Sequence, residues 1–129
     1  MRRQGHASVE GTRRFHDRHA PKVVANHVRD AAGMSVSSLG IGTYLGELDD
    51  ATDTRYIAAI KRAYELGINV VDTAVNYRAQ RSERAVGKAI AGLPRDEIVV
   101  CSKAGSCRST PTVPPIRAAT CARPTSTPG

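Results

Sequence analysis

Three apolar runs end at Thr43, Thr73 and Lys103, at intervals of 30 residues in a chain of 129. That interval restricts the fold more than any other feature, because it matches the length of one strand, one helix and their connections. Between the first two runs lies "DDATDTRYIAAIKRAYELG", where Ile57, Ile60 and Tyr64 recur at helical spacing with Ala59 and Ala63 beside them. Asp50 is placed to cap this helix, Asp53 suits the positive end of its dipole and Gly67 is a natural stop. The next interval holds "SERAVGKAIAG", a second predicted helix with Ser82 as candidate cap and Gly92 as stop. Upstream, "GMSVSSLGIGTYLG" alternates polar and apolar residues and predicts a short hairpin leading into a strand at about 39–43.

The order strand, helix, strand, helix, strand implies right-handed crossovers and a parallel sheet. Eight units of this length would make about 240 residues, the size of an eight-fold β/α barrel. A doubly wound open sheet tolerates the same period, but neither strand–helix junction carries a G-x-G-x-x-G phosphate loop. The "GIG" at 40–42 precedes a turn rather than a helix start. The predicted fold is therefore the N-terminal part of a (β/α)8 barrel, about three strands and two helices, spanning residues 33–105.

In that fold Asp72 and Lys103 fall at the C-terminal ends of successive strands, on the face where such barrels build active sites. Neighbouring parallel strands lie about 4.8 Å apart, so the two charges can approach ion-pair distance. Tyr77 lies in the loop just after the first of these strands and can fold back over both. Taken singly, Asp72 reads as a turn residue, Lys103 as a snorkelling surface lysine and Tyr77 as an amphipathic loop anchor. Their joint placement at matched strand ends favours function. An ammonium beside a phenol favours the phenolate and makes the tyrosine a usable proton donor near neutral pH. Such an acid suits an alkoxide forming during carbonyl reduction.

The motifs "LGIGTY", "INVVDTAVNY", "RSERAVGKAI" and "EIVVCSKAG", in this order over about residues 33–105, resemble the N-terminal part of the aldo-keto reductases. That family consists of nicotinamide-dependent oxidoreductases built on a β/α barrel. Position by position, the resemblance implies Tyr77 as proton donor, Lys103 as the neighbour that strengthens it and Asp72 as the carboxylate paired with Lys103. It implies Gly42, Thr43, Tyr44 and Asp72 beside the nicotinamide end of NADP(H), and a small carbonyl substrate. One residue departs from the pattern, since Arg78 stands where glycine commonly follows the tyrosine. The family also has a site histidine further along the barrel, whereas this sequence has no histidine after His27. Most contacts to the cofactor's phosphates and adenosine are implied for later barrel strands, so weak cofactor binding and little activity are expected of this chain alone.

The two ends differ from the middle. Residues 1–30 carry a net +4, residues 31–103 are neutral and residues 104–129 carry +3, so the overall +7 sits in the flanks. That distribution argues against a basic nucleic-acid face. Residues 1–32 are read as a polar, basic, disordered extension without helical or strand period, its histidines (His6, His16, His19, His27) solvated rather than metal-binding. Residues 106–129 hold five of the seven prolines and no Asp, Glu or Lys, and are expected to be disordered. Their abrupt change of character is read as a shifted frame or truncated coding sequence near residue 105, against a native tail.

Cys101, Cys107 and Cys121 form neither a zinc spacing nor an even disulfide set, so a reducing, cytoplasmic setting is expected. No run is long enough for a membrane helix. A non-catalytic interaction protein, with basic ends binding polyanions, is the alternative from a different functional class. The expected partner is otherwise a small molecule, with no membrane and no specific nucleic acid.

Overall fold

The computed structural model describes residues 5–104. Strands β3 (Gly40–Gly42), β4 (Val70–Asp72) and β5 (Val99–Cys101) form a parallel sheet in that order, linked by helices α2 (Asp50–Glu65) and α3 (Arg81–Ile90). Gly42, Asp72 and Cys101 stand side by side in register. Pairing runs one residue further, since the Thr43 amide donates to the Asp72 carbonyl (3.1 Å) and the Thr73 amide to the Cys101 carbonyl (2.8 Å). The predicted order is present, and the strands end at Gly42, Asp72 and Cys101, intervals of 30 and 29 residues, with the third ending two residues before Lys103; this is the N-terminal part of a β/α barrel.

The core is aliphatic, as a chain with one Phe and no Trp requires. Ile60 of α2, Val71 of β4, Val86, Ala89 and Ile90 of α3 and Ile98 close on one another, with Ile41, Ile57 and Val100 packed alongside. β-branched Val70, Val71, Val99 and Val100 suit the short strands. A Cβ at Gly40 would lie 3.2 Å from Val70 Cγ1, so the first strand approaches the second tightly. Gly67, at φ +92°, ends α2 as expected.

Both predicted caps shift. Asp49, not Asp50, caps α2, its carboxylate accepting from the Thr52 amide at 2.7 Å. Helix α3 begins after Gln80, in left-handed conformation, and has no side-chain cap. Ser82 lies one residue inside the helix, fully buried, and donates instead to the Thr43 carbonyl at 2.6 Å. The reason is local: Arg78, Ala79 and Gln80 all have positive φ, so the chain turns sharply into the helix and carries Ser82 past the cap.

The N-terminal region is a larger correction. Residues expected to be disordered form helix α1 (Val9–His19) and strand β1 (Val28–Ala31), which pairs antiparallel with β2 (Met34–Ser37). The turn between them, Ala32–Gly33, has positive φ at both residues, as tight hairpins require. This hairpin starts earlier than predicted and ends before β3. Ser8 caps α1, its hydroxyl accepting from the Gly11 amide at 2.9 Å. The buried face of α1 is Thr12, Phe15, His16 and His19, correctly spaced but mostly polar, which hid it from a hydropathy pattern.

The histidines expected in solvent are therefore buried at three positions, His16, His19 and His27. His27 Nε2 lies 3.0 Å from the Gly67 carbonyl and His19 Nδ1 2.8 Å from that of Phe15. Burial lowers the His16 pKa.

Helix α1 is held by charge as well. Arg18 and Arg14 reach Glu97, itself only 2% exposed, at 2.6 and 3.1 Å, and Tyr64 donates its hydroxyl to the same carboxylate. Asn69, just before β4, accepts from the Ser37 amide and donates to the carbonyls of Ser35 and Glu97. The hairpin and α1 thus cover the N-terminal ends of the parallel strands and leave the C-terminal ends open. The proline-rich tail lies outside the described residues.

Candidate active site

Asp72 is the last residue of β4 and pairs in register with Cys101, so Lys103 stands two positions beyond the strand end and its side chain meets the Asp72 carboxylate there. The Val75 amide donates to the Lys103 carbonyl at 3.2 Å, which pins the lysine backbone beyond the strand end. Tyr77 returns over both through a tight turn closed by its amide on the Ala74 carbonyl, 3.1 Å.

The ammonium is the centre of the arrangement. Lys103 Nζ donates to Asp72 Oδ1 at 2.5 Å, to the Tyr77 hydroxyl oxygen at 3.1 Å and to the Thr73 carbonyl at 3.4 Å, which occupies its three protons. Asp72 first and Tyr77 second raise the Lys103 pKa, so the group is a cation throughout the physiological range. The Asp72 and Lys103 side chains are 42% and 54% exposed, so the pair meets solvent rather than a closed core. Tyr77 is half-buried.

The residues expected beside a cofactor differ in character. Gly42 is exposed, and a Cβ there would meet nothing within 4 Å. Tyr44 is exposed and meets Tyr77 edge to face, ring centroids 5.0 Å apart. Thr43 is fully buried, and its hydroxyl donates to the Asp72 carbonyl at 3.0 Å. Among the described residues no group of three His, Cys, Asp or Glu side chains could hold a metal ion.

Sequence reasoning did not find the role of Arg78. Its guanidinium is buried, pairs with Asp53 at 2.8 Å and donates to the Glu47 carbonyl, while Arg81 takes the other oxygen of Asp53 at 2.8 Å. Burial pushes the Asp53 carboxyl up, but Arg81 and Arg78 outweigh it and hold the group below the usual range. The signal was present as acids at 49, 50 and 53 answered by arginines at 78 and 81. A cleft of about 410 Å³ lies between the 45–47 loop and Thr52, Arg55, Tyr56 and Ala59 of α2, and neither Asp72, Tyr77 nor Lys103 lines it.

Comparison with known proteins gives a consistent picture. Residues 38–122 match the model of the aldo/keto reductase family. A D-threo-aldose 1-dehydrogenase of Pseudomonas sp is 39% identical over 77 residues, covering 58% of this chain and 23% of that protein. The NADH-specific methylglyoxal reductase of Escherichia coli is 36% identical over 80 residues, 56% of this chain and 24% of that protein. The crystal structure of an aldo-keto reductase from Klebsiella pneumoniae in complex with NADPH superposes with a TM-score of 0.55 at 34% identity, covering 64% of this chain and 28% of that one. The chain thus spans about a quarter of the length of these curated relatives. Among the described residues no helix is long and apolar enough to cross a membrane.

Proposed function

The chain belongs to the aldo/keto reductase family, and on that premise we propose that it carries the proton-donating part of an NADP(H)-linked carbonyl reductase. Tyr77 is the acid, Lys103 the cation beside it and Asp72 the carboxylate that fixes Lys103. The substrate class is a small aldehyde or ketone. One observation carries the reading: a single ammonium bonds at once to the Asp72 carboxylate and the Tyr77 hydroxyl. The NADPH bound to the Klebsiella relative supports the cofactor assignment. The exposed, unpaired thiol of Cys101 suits a reducing cytoplasm.

A carbonyl oxygen seated on the Tyr77 hydroxyl accepts its hydrogen bond, and receives the proton as negative charge develops there. When bound, the cofactor supplies the hydride that reduces the carbonyl carbon. The Lys103 ammonium, 3.1 Å away, stabilises the phenolate left behind. Asp72 keeps that ammonium charged and aimed. Gly42, Tyr44 and Asp72 would hold the nicotinamide end, since a flat ring fits the open face at Gly42 beside the exposed Tyr44 ring. Thr43 serves the same face from beneath, bracing the Asp72 backbone with its buried hydroxyl.

The test is a chimera in which residues 38–104 replace the matching segment of the Klebsiella enzyme, assayed for NADPH-dependent aldehyde reduction. The reading requires an order of severity. Tyr77→Phe and Lys103→Met cripple the rate, and Asp72→Asn, which acts through Lys103, is milder than either. Asp72→Asn as damaging as Tyr77→Phe, or Lys103→Met without effect, contradicts the assigned roles.

A further inference from the structure

Arg78 follows Tyr77 directly and breaks two local rules at once. Its φ is +48°, with Ala79 at +51° and Gln80 at +70°, three successive residues in the left-handed region that favours glycine. Its side chain is 1% exposed, although arginine is seldom fully buried. Backbone of this kind persists only where the surroundings over-determine it. The fixing contacts run through the guanidinium. Nε and Nη2 donate to the Glu47 carbonyl at 2.9 and 2.5 Å, and Nη2 reaches the Asp49 carbonyl at 3.4 Å and Asp53 Oδ1 at 2.8 Å. Its Cζ lies 5.3 Å from the centroid of the Tyr56 ring, and Tyr56 in turn donates to the Leu45 carbonyl at 2.6 Å.

All of these partners lie in residues 45–56, the segment that begins immediately after Tyr44. Tyr44 is the residue whose ring meets Tyr77. The guanidinium therefore ties together two loops at the positions adjoining the two tyrosines. A glycine at 78 would accept the backbone angle but leave the loops untied. A lysine would keep the charge but lacks the planar fork that spans two carbonyls and a carboxylate.

We infer that Arg78 is a positioning residue for the proton donor. Its buried guanidinium locks the Tyr77 turn against residues 45–56 and so holds the Tyr77 hydroxyl at Lys103 and the Tyr77 ring against Tyr44. The inference rests on Tyr77 being the acid, and it adds a residue at the very position where the family pattern has glycine.

The experiment uses the whole 129-residue chain with ring-labelled tyrosine, which places the label at four positions, and assigns each resonance by single Tyr→Phe replacement. Wild type is compared with Arg78→Lys and Arg78→Gly. In wild type the Tyr44 and Tyr77 rings show a mutual nuclear Overhauser effect. In both variants that effect falls severalfold and the Tyr44 and Tyr77 resonances move. Tyr64, anchored on Glu97 at the other end of α2, keeps its resonance and reports that the fold is intact. Arg78→Gly, free to hold a positive φ, is the variant read if Arg78→Lys does not fold. An unchanged Tyr44–Tyr77 effect in the variants overturns the inference, as does its absence from wild type. Movement of all four resonances, Tyr64 included, also overturns it, because Arg78 would then be a general stabiliser. Near-normal reduction by Tyr77→Phe would remove the proton-donor reading while leaving these NMR outcomes in place.

Discussion

Lys103 Nζ lies 3.1 Å from the Tyr77 hydroxyl oxygen, although 26 residues separate the two in sequence. The parallel register of β4 and β5 creates that proximity, and Asp72 at 2.5 Å fixes the ammonium in it. Asp72 is the larger cause of the raised Lys103 pKa, so Asp72→Asn should let Lys103 lose its proton at lower pH than in wild type. Lysine Nζ resonances followed through an alkaline titration measure this. An unchanged midpoint would mean that the ion pair does not govern the ammonium.

The Glu97 cluster predicts an acid-sensitive fold. Burial pushes this carboxyl up, but Arg18, Tyr64 and Arg14 hold it down at about 2, from an ordinary 4.5. A carboxyl that stays ionised longer when folded favours folding above its ordinary pKa. The contribution is therefore complete above pH 4.5 and disappears as pH falls toward 2. Tyr64 is raised to about 12 from 10.0 by burial and Glu97, so its part is complete below pH 10 and lost as pH rises through 12. Thermal midpoints of wild type and Glu97→Gln should differ most near neutrality and converge in acid. Parallel curves would remove Glu97 from the account.

Phe15 tests the unexpected N-terminal helix. It is completely buried among His16, His19 and Tyr64. Truncating such a side chain costs about 3–5 kcal/mol, so Phe15→Ala should lower the denaturation midpoint by a corresponding amount. A change below about 0.5 kcal/mol, the scale of a surface substitution, would mean that α1 does not dock as described.

How far the sequence could be read follows from which physical signals it carries. The barrel start was legible because aliphatic strands and amphipathic helices alternate at a fixed interval, and Asp72 and Lys103 stand out at the ends of apolar runs. Helix α1 was not, because its buried face uses Thr12, His16 and His19, whose burial depends on tertiary partners such as Tyr64 and Asn69. Strand β1 reads "VRDA", with no alternation to mark it. Ser82 looked like a cap because nothing local announces three left-handed residues at 78–80. Arg78 itself was visible only as a departure from a pattern. Its cause, a buried cation among carbonyls 29 to 31 residues earlier, is a long-range fact.

The most direct test of the central claim is the rate of NADPH-dependent aldehyde reduction by the chimera with and without Tyr77→Phe, measured together with cofactor affinity. Phenylalanine removes one hydroxyl and keeps the ring that meets Tyr44. If Tyr77 donates the proton, turnover falls by at least about 10²-fold while NADPH affinity is nearly unchanged. Near-normal turnover in Tyr77→Phe would contradict the account, and would leave Asp72, Tyr77 and Lys103 as a structural cluster at the strand ends.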